Sequence, residues 1–212
     1  KEINSSIKTD KKVGSIVKKW QTILVAQIKN VIKYPDEVIF EAKTPLDGRD
    51  TPIRSVQTNL GQVISKAMSF AFNDKVDCAL VNGGSIRIDD QLSGPVTAVD
   101  IFRVLPYGGG VLKVGIKGEL LERVLNYGIA AQGKGAYLQR FNAHIIGNQW
   151  MIKNKVLNLN KTYTVAFSDY LLKGLDIPFL TANNKDITSV VQPENNELTS
   201  DIRKVVINYL KK

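Results

Sequence analysis

Val76-Asp77-Cys78-Ala79-Leu80-Val81-Asn82-Gly83-Gly84-Ser85-Ile86-Arg87 is the stretch on which the reading of the fold depends. Val76 to Val81 is a short apolar run, the pattern of a buried strand. An amide, two glycines, a serine and a guanidinium follow at once, the layout of a ligand-binding turn. Glycines such as Gly84 let the backbone approach a ligand closely. Backbone N–H groups, the Asn82 amide and the Arg87 fork can then converge on oxygens, phosphate included. An Asn-Gly pair is also a common hairpin turn, so the segment is weighed with the rest of the chain.

Outward from this strand the pattern changes period repeatedly. Upstream, Val13, Ile16, Val17, Trp20, Ile23, Leu24, Ile28 and Val31 recur at helical spacing with lysines on the other face. They predict a long amphipathic helix over 11–32, stopped before Pro35. A strand from Val38 to Ala42 is expected next, then a Pro/Gly/Asp-rich loop to 52. Leu60, Val63, Ile64, Ala67, Met68 and Ala71 predict a helix capped by Thr58 or Asn59. Downstream, Thr97 opens a short helix over 98–103 that ends at Pro106. Val111 to Ile116 reads as a strand and Glu119 to Ala131 as a helix. Residues 137–146 and 149–156 read as a hairpin across Gly147-Asn148. Tyr163 to Phe167 is a buried strand, 183–199 a polar loop, and Ser200 the cap of a final helix. Strands and helices mix without regular βαβ alternation, which predicts an α+β fold with mixed sheets flanked by helices. The division expected is a connector helix over 1–34 and a domain over 35–212.

The chain has 212 residues, enough for one large domain or a small pair. No run approaches the roughly 20 apolar residues that span a membrane. No leader pattern is visible at Lys1, which leaves open a cytosolic chain, a processed mature form or a piece of something longer. The net charge of +9 suits anionic partners. Its lysines are scattered, however, and no basic recognition helix or stacked-aromatic strand motif accompanies them. The single Cys78 lies in the apolar strand and reads as a small buried hydrophobe. His144 is the only histidine, and a transition-metal hydrolase centre draws on several. His144 is expected to face solvent or a neighbouring strand, and neither it nor Cys78 is a catalytic candidate. No catalytic or metal-binding residue is therefore assigned.

Three further segments share the chemistry of the opening turn. Leu46-Asp47-Gly48-Arg49 through Arg54 to Gly61 places two arginines in a loop entering a helix, where free N–H groups favour anions. Leu105-Pro106-Tyr107-Gly108-Gly109-Gly110 presents an aromatic on a proline corner, suited to stacking on a flat ligand. Ser168-Asp169-Tyr170 through Asp176 offers a second aromatic and a carboxylate. Taken singly, each also reads as ordinary structure: surface arginines, a core tyrosine, a turn or helix cap.

In these segments and in their order, the chain resembles the C-terminal domain of the 5′-nucleotidase family, from about residue 10 to 212. The carriers are the LDGR…R…TNLG segment, the NGGSIR turn, the LPYG corner, and an aromatic six residues before an aspartate behind a TYTVA strand. The resemblance implies that Arg54, Asn82 and Arg87 contact phosphate or ribose, with Arg49 a weaker candidate. It implies that Tyr107 and Tyr170 clamp a base where relatives usually carry phenylalanines, that Asp176 takes ribose hydroxyls, and that Gly109 or Gly110 and Gly135 line the pocket. Two departures stand out: Lys173-Gly174-Leu175-Asp176 where relatives carry Asn-Gly-Gly-Asp, and Arg140-Phe141-Asn142 where they carry Val-Ser-Gly.

In that family hydrolysis belongs to a separate metallophosphatase domain, whose two metals activate water. The resemblance thus implies a nucleotide or nucleoside recognition domain, incomplete as a catalyst, with no cofactor of its own. Divalent metals are expected only in a metallophosphatase domain supplied in cis or in trans. A periplasmic or extracellular location goes with the family. Two other readings stay open: a stand-alone nucleoside-binding module with no hydrolase role, and a basic nucleic-acid binder.

Overall fold

A computed structural model describes residues 8–30 and 32–212. It begins with α1, Lys11–Lys29, whose N-terminus is capped by Asp10 accepting from the Lys12 and Val13 amides. The helix ends before the expected residue 32, and Val31 lies outside the described residues. Its apolar stripe is exposed at Val13, Ile16, Val17, Trp20 and Leu24, and among its residues only Ile28 is buried.

The chain continues through β1 (Val38–Asp47), α2 (Asp50–Ile53), α3 (Asn59–Phe70) and β2 (Cys78–Asn82). Then come β3 (Gln91–Thr97), α4 (Ala98–Val104), β4 (Val111–Lys117), α5 (Gly118–Ala130) and β5 (Leu138–Phe141). β6 (Ala143–Ile146), β7 (Gln149–Ile152), β8 (Lys155–Val156), β9 (Thr162–Ser168), β10 (Ile187–Val191) and α6 (Ile202–Leu210) complete it. The fold is α+β.

The central sheet has the order β10-β4-β9-β2-β5, with β2 parallel to β9 and the other pairs antiparallel. Strand β2 is buried at every position, so its two faces serve two cores. Ala79 and Val81 join α3, α4 and α6 through Ile64, Met68, Ile101 and Val205. Cys78 and Leu80 join α5 on the other face through Leu121, Val124 and Leu125. This two-sided burial is why the strand reads as a continuous apolar run rather than as an alternation. Burial also pushes the Cys78 thiol far above its ordinary pKa, which leaves it inert.

Beyond the end of α1, the sequence expectations differ from the structure in five further places. β1 runs on to Asp47, and the loop behind it contains α2. β3, not foreseen, pairs with β1 in a separate ribbon; it carries Gly94 and Pro95, which a ribbon edge tolerates. The expected hairpin breaks at Asn142, whose φ of 58° turns the chain out of the central sheet. Only β6 and β7 then pair across Gly147-Asn148, joined by β8. The polar stretch 183–199 contains β10, a short edge strand set among polar residues, with Ile187 and Val190 half-buried and the other three residues exposed. Finally, Asp201 caps α6 by accepting from the Arg203 amide, while Ser200 ends a preceding 3₁₀ turn. Thr58 caps α3, and Thr97 forms a capping box with Asp100 at α4. No helix among the described residues is long and apolar enough to cross a membrane.

Candidate functional site

The parallel strands β2 and β9 release their chains at the same end of the central sheet. β4 starts at that end too, because Val111 pairs with Ser168 in the antiparallel register. The turns beyond Asn82, before Val111 and after Ser168 are thereby forced together. In open α/β sheets ligand crevices form at the carboxyl ends of parallel strands, and the parallel pair β2 and β9 presents such ends here. Here the turns enclose a cavity of about 510 Å³.

All four segments singled out in the sequence reach that cavity. Arg54, Asn82, Gly84, Arg87, Tyr107, Gly109, Gly135, Tyr170 and Asp176 line it. Arg49 and Gly110 do not. Arg49 instead holds Asp47 through Nε at 2.9 Å and Nη2 at 2.8 Å, which keeps the Asp47 carboxyl below the usual carboxylate range. The glycines beside Gly110 earn their place sterically: Gly109 has φ 92°, and a Cβ there would stand 2.5 Å from Asp169 Oδ1.

The wall is a network of polar side chains. Asn82, nearly fully buried, donates Nδ2 to Asp176 Oδ2 at 2.7 Å, and the Ser85 hydroxyl donates to Asn82 Oδ1 at 2.6 Å. The Tyr170 hydroxyl donates to Asp176 Oδ1 at 3.3 Å. Burial, and then the neighbouring Asp176 charge, push the Tyr170 phenol above its ordinary pKa. Arg87 donates to the Tyr107 hydroxyl at 3.2 Å with its guanidinium 5.7 Å from that ring's centre. Tyr107 is otherwise 72% exposed, a free aromatic face at the rim.

Arg54 is held from behind. Its guanidinium pairs with Asp50 at 2.6 Å, and its carbonyl accepts from Gly133 N at 2.8 Å. Gln139, fully buried on β5, clamps the segment around it. Its Nε2 donates to the Ile53 and Val56 carbonyls, both at 2.7 Å, and its Oε1 accepts from Thr58 N at 3.0 Å. Gly61 leaves room for that side chain, since a Cβ there would collide with Gln139. Among the described residues Arg54 Nε and Ser168 Oγ are buried without a partner. Buried polar atoms are costly unless bonded, so both lack the partner such an atom ordinarily has.

Several lining residues were not assigned from sequence. Ser85, Asp169 and Lys173 sit inside the quoted segments, so their position was the signal. Ser168 is the last residue of β9, and Ile202 begins α6. Gln139 carries no local signature at all, because its partners lie more than 80 positions away. Among the described residues no group of three or more His, Cys, Asp and Glu side chains could hold a metal ion.

The family model for the 5′-nucleotidase C-terminal domain matches residues 38–182. A 5′-nucleotidase of Rattus norvegicus is 26% identical over 204 residues, covering 82% of this chain and 34% of the relative. The endonuclease YhcR of Bacillus subtilis is 34% identical over 122 residues, covering 58% of this chain and 9% of the relative. The crystal structure of a 5′-nucleotidase precursor from Thermus thermophilus superposes with a TM-score of 0.73 at 24% identity, covering 90% of this chain and 39% of that one. The chain thus spans about a third of the length of the 5′-nucleotidases it matches. It belongs to the 5′-nucleotidase C-terminal domain family.

Proposed function

We propose that the chain, as a 5′-nucleotidase C-terminal domain, holds a nucleotide in the 510 Å³ cavity while a metallophosphatase domain, in cis or in trans, hydrolyses its phosphate ester. One observation supports this most: four segments far apart in sequence place two guanidiniums, an ammonium, two tyrosine rings and two carboxylates around one cavity. Arg54 and Arg87 are suited to phosphate oxygens, Arg87 as a forked donor and Arg54 through its unpartnered Nε. Tyr107 and Tyr170 offer faces for a base. Asp176, already accepting from Asn82 and Tyr170, is suited to ribose hydroxyls. The water-activating metals belong to the metallophosphatase part, and this chain supplies binding and orientation. A periplasmic or extracellular location fits a family with a member described as a precursor.

Calorimetry of the purified chain with adenosine and AMP, alongside a phosphate-release assay in Mn²⁺ and Zn²⁺, tests the proposal. Binding without turnover is expected. Metal-dependent AMP hydrolysis by the chain alone would overturn the division of labour, and absence of binding would leave the recognition role unsupported. A stand-alone nucleoside-binding role predicts the same binding and no activation when a metallophosphatase domain is added. A nucleic-acid role draws on the +9 charge and on the endonuclease relative. It predicts DNA affinity that falls steeply with salt.

A further inference from the structure

We infer that a second cavity, built around Arg140 at the edge of the central sheet, binds an organic anion. It has a volume of about 360 Å³ and shares no lining residue with the first. Arg140, Gln57, Gln62, Phe141, Asn142 and His144 form most of its wall, and no acidic side chain contributes.

The arginine inventory sets Arg140 apart. Of the seven arginines in the chain, Arg49, Arg54, Arg103 and Arg203 each hold a carboxylate. Arg87 stands in the first cavity, and Arg123 is exposed over the Phe179 ring. Arg140 is partly buried and, among the described residues, has no carboxylate partner. Its Nη1 donates to the Leu138 carbonyl at 2.7 Å, while its Nε is buried with no partner. The rings of Tyr137 and Trp150 lie 5.6 and 5.7 Å from the guanidinium, shielding it from water without supplying a counter-ion. A buried donor such as this Nε is costly until an acceptor joins it. A guanidinium takes carboxylate or phosphate through its fork of donors.

The rest of the wall fits such a ligand. The amides of Gln62 and Asn142 and the His144 imidazole add polar groups around Arg140, and Phe141, Ile129 and Ile145 add an apolar side. The volume exceeds that of a bare oxyanion, so the fitting ligand carries an acidic head on an apolar or aromatic body.

The test is a titration of the ¹⁵N-labelled full chain with benzoate, phenyl phosphate and inorganic phosphate, following the Phe141, Asn142 and His144 amides. Saturable shifts with benzoate or phenyl phosphate are expected, and the tighter of the two identifies the head group. The shifts should persist in Tyr107→Ala, which removes a wall of the first cavity, and weaken at least tenfold in Arg140→Met. Should Arg140→Met fail to fold, Gln62→Glu, at an exposed position of α3, adds a carboxylate to the rim and should weaken binding at least threefold. No saturable shift at these amides, or unchanged affinity in both variants, would overturn the site.

Discussion

Asn82 and Asp176, 94 positions apart, are joined by a 2.7 Å hydrogen bond that fixes the carboxylate at the mouth of the turn after β2. The Tyr170 hydroxyl approaches the other oxygen of the same carboxylate. Asp176 is thus oriented from two sides before any ligand arrives, despite the Lys-Gly-Leu sequence that precedes it. Replacing it with alanine removes the acceptor proposed for ribose. Adenosine affinity is expected to fall about tenfold, which corresponds to ~1.4 kcal/mol. Affinity for 2′,3′-dideoxyadenosine should barely change. Equal losses for both nucleosides in calorimetry would show that Asp176 does not read the ribose.

Tyr107 separates stacking from hydrogen bonding. Its ring is exposed at the rim, and its hydroxyl is engaged by Arg87. Base–aromatic stacking contributes about 1–3 kcal/mol per base. Tyr107→Ala is therefore expected to weaken adenosine binding by roughly fivefold or more, whereas Tyr107→Phe, which keeps the face, should stay within about twofold. If Tyr107→Phe lost as much as Tyr107→Ala, the hydroxyl would be the functional group.

Gly83 marks how closely β2 approaches the arginine segment. A Cβ at this position would stand 2.5 Å from the Ile53 carbonyl oxygen, a backbone atom that cannot swing aside. Gly83→Ala must push the 53–54 segment away. A destabilisation of about 1–3 kcal/mol is expected, read as a fall in the denaturation midpoint, together with weaker AMP binding. An unchanged midpoint would mean that the segment yields freely.

What could be read from the sequence follows the range of the forces involved. β2 was legible as an unbroken apolar run, and α3 and α5 because one-sided burial imposes a helical period on consecutive residues. The site segments were legible because each concentrates glycine, arginine or tyrosine within a few positions. β3 and β10 were not: Gly94 and Pro95 interrupt the apolar pattern of β3, and β10 is five residues long with only Ile187 and Val190 half-buried. Gln139 was not, because its three bonds run to residues far upstream. Arg49 carried the same local signal as Arg54, and only the tertiary structure shows it turned to Asp47 and out of the cavity.

Tyr170 sets an alkaline limit. Its phenol is pushed above the usual value of about 10 by burial and by Asp176. Below the unfolded pKa the phenol is protonated in both states, and its favourable environment contributes fully. As pH rises past about 10, the unfolded chain releases this proton first, and stability falls until the folded phenol also titrates. Tyr170→Phe should therefore lose stability less steeply than wild type above about pH 10. Denaturant midpoints with matching slopes in the two proteins would sink the assignment.

Gln139 tests whether the first cavity depends on a residue that does not line it. Substituting leucine leaves the Ile53 and Val56 carbonyls and the Thr58 amide without their partner in a buried setting. Each orphaned group costs about 1–3 kcal/mol, so with three of them a loss of at least ~3 kcal/mol is expected. Glutamate is the sharper variant: a carboxylate can still accept from Thr58 N but cannot donate to the two carbonyls. The segment it clamps carries Arg54 and none of the groups proposed for base or ribose. Both variants should therefore weaken AMP binding several-fold more than adenosine binding at a temperature where they remain folded. Parallel losses for AMP and adenosine would assign Gln139 to general packing rather than to the placement of Arg54.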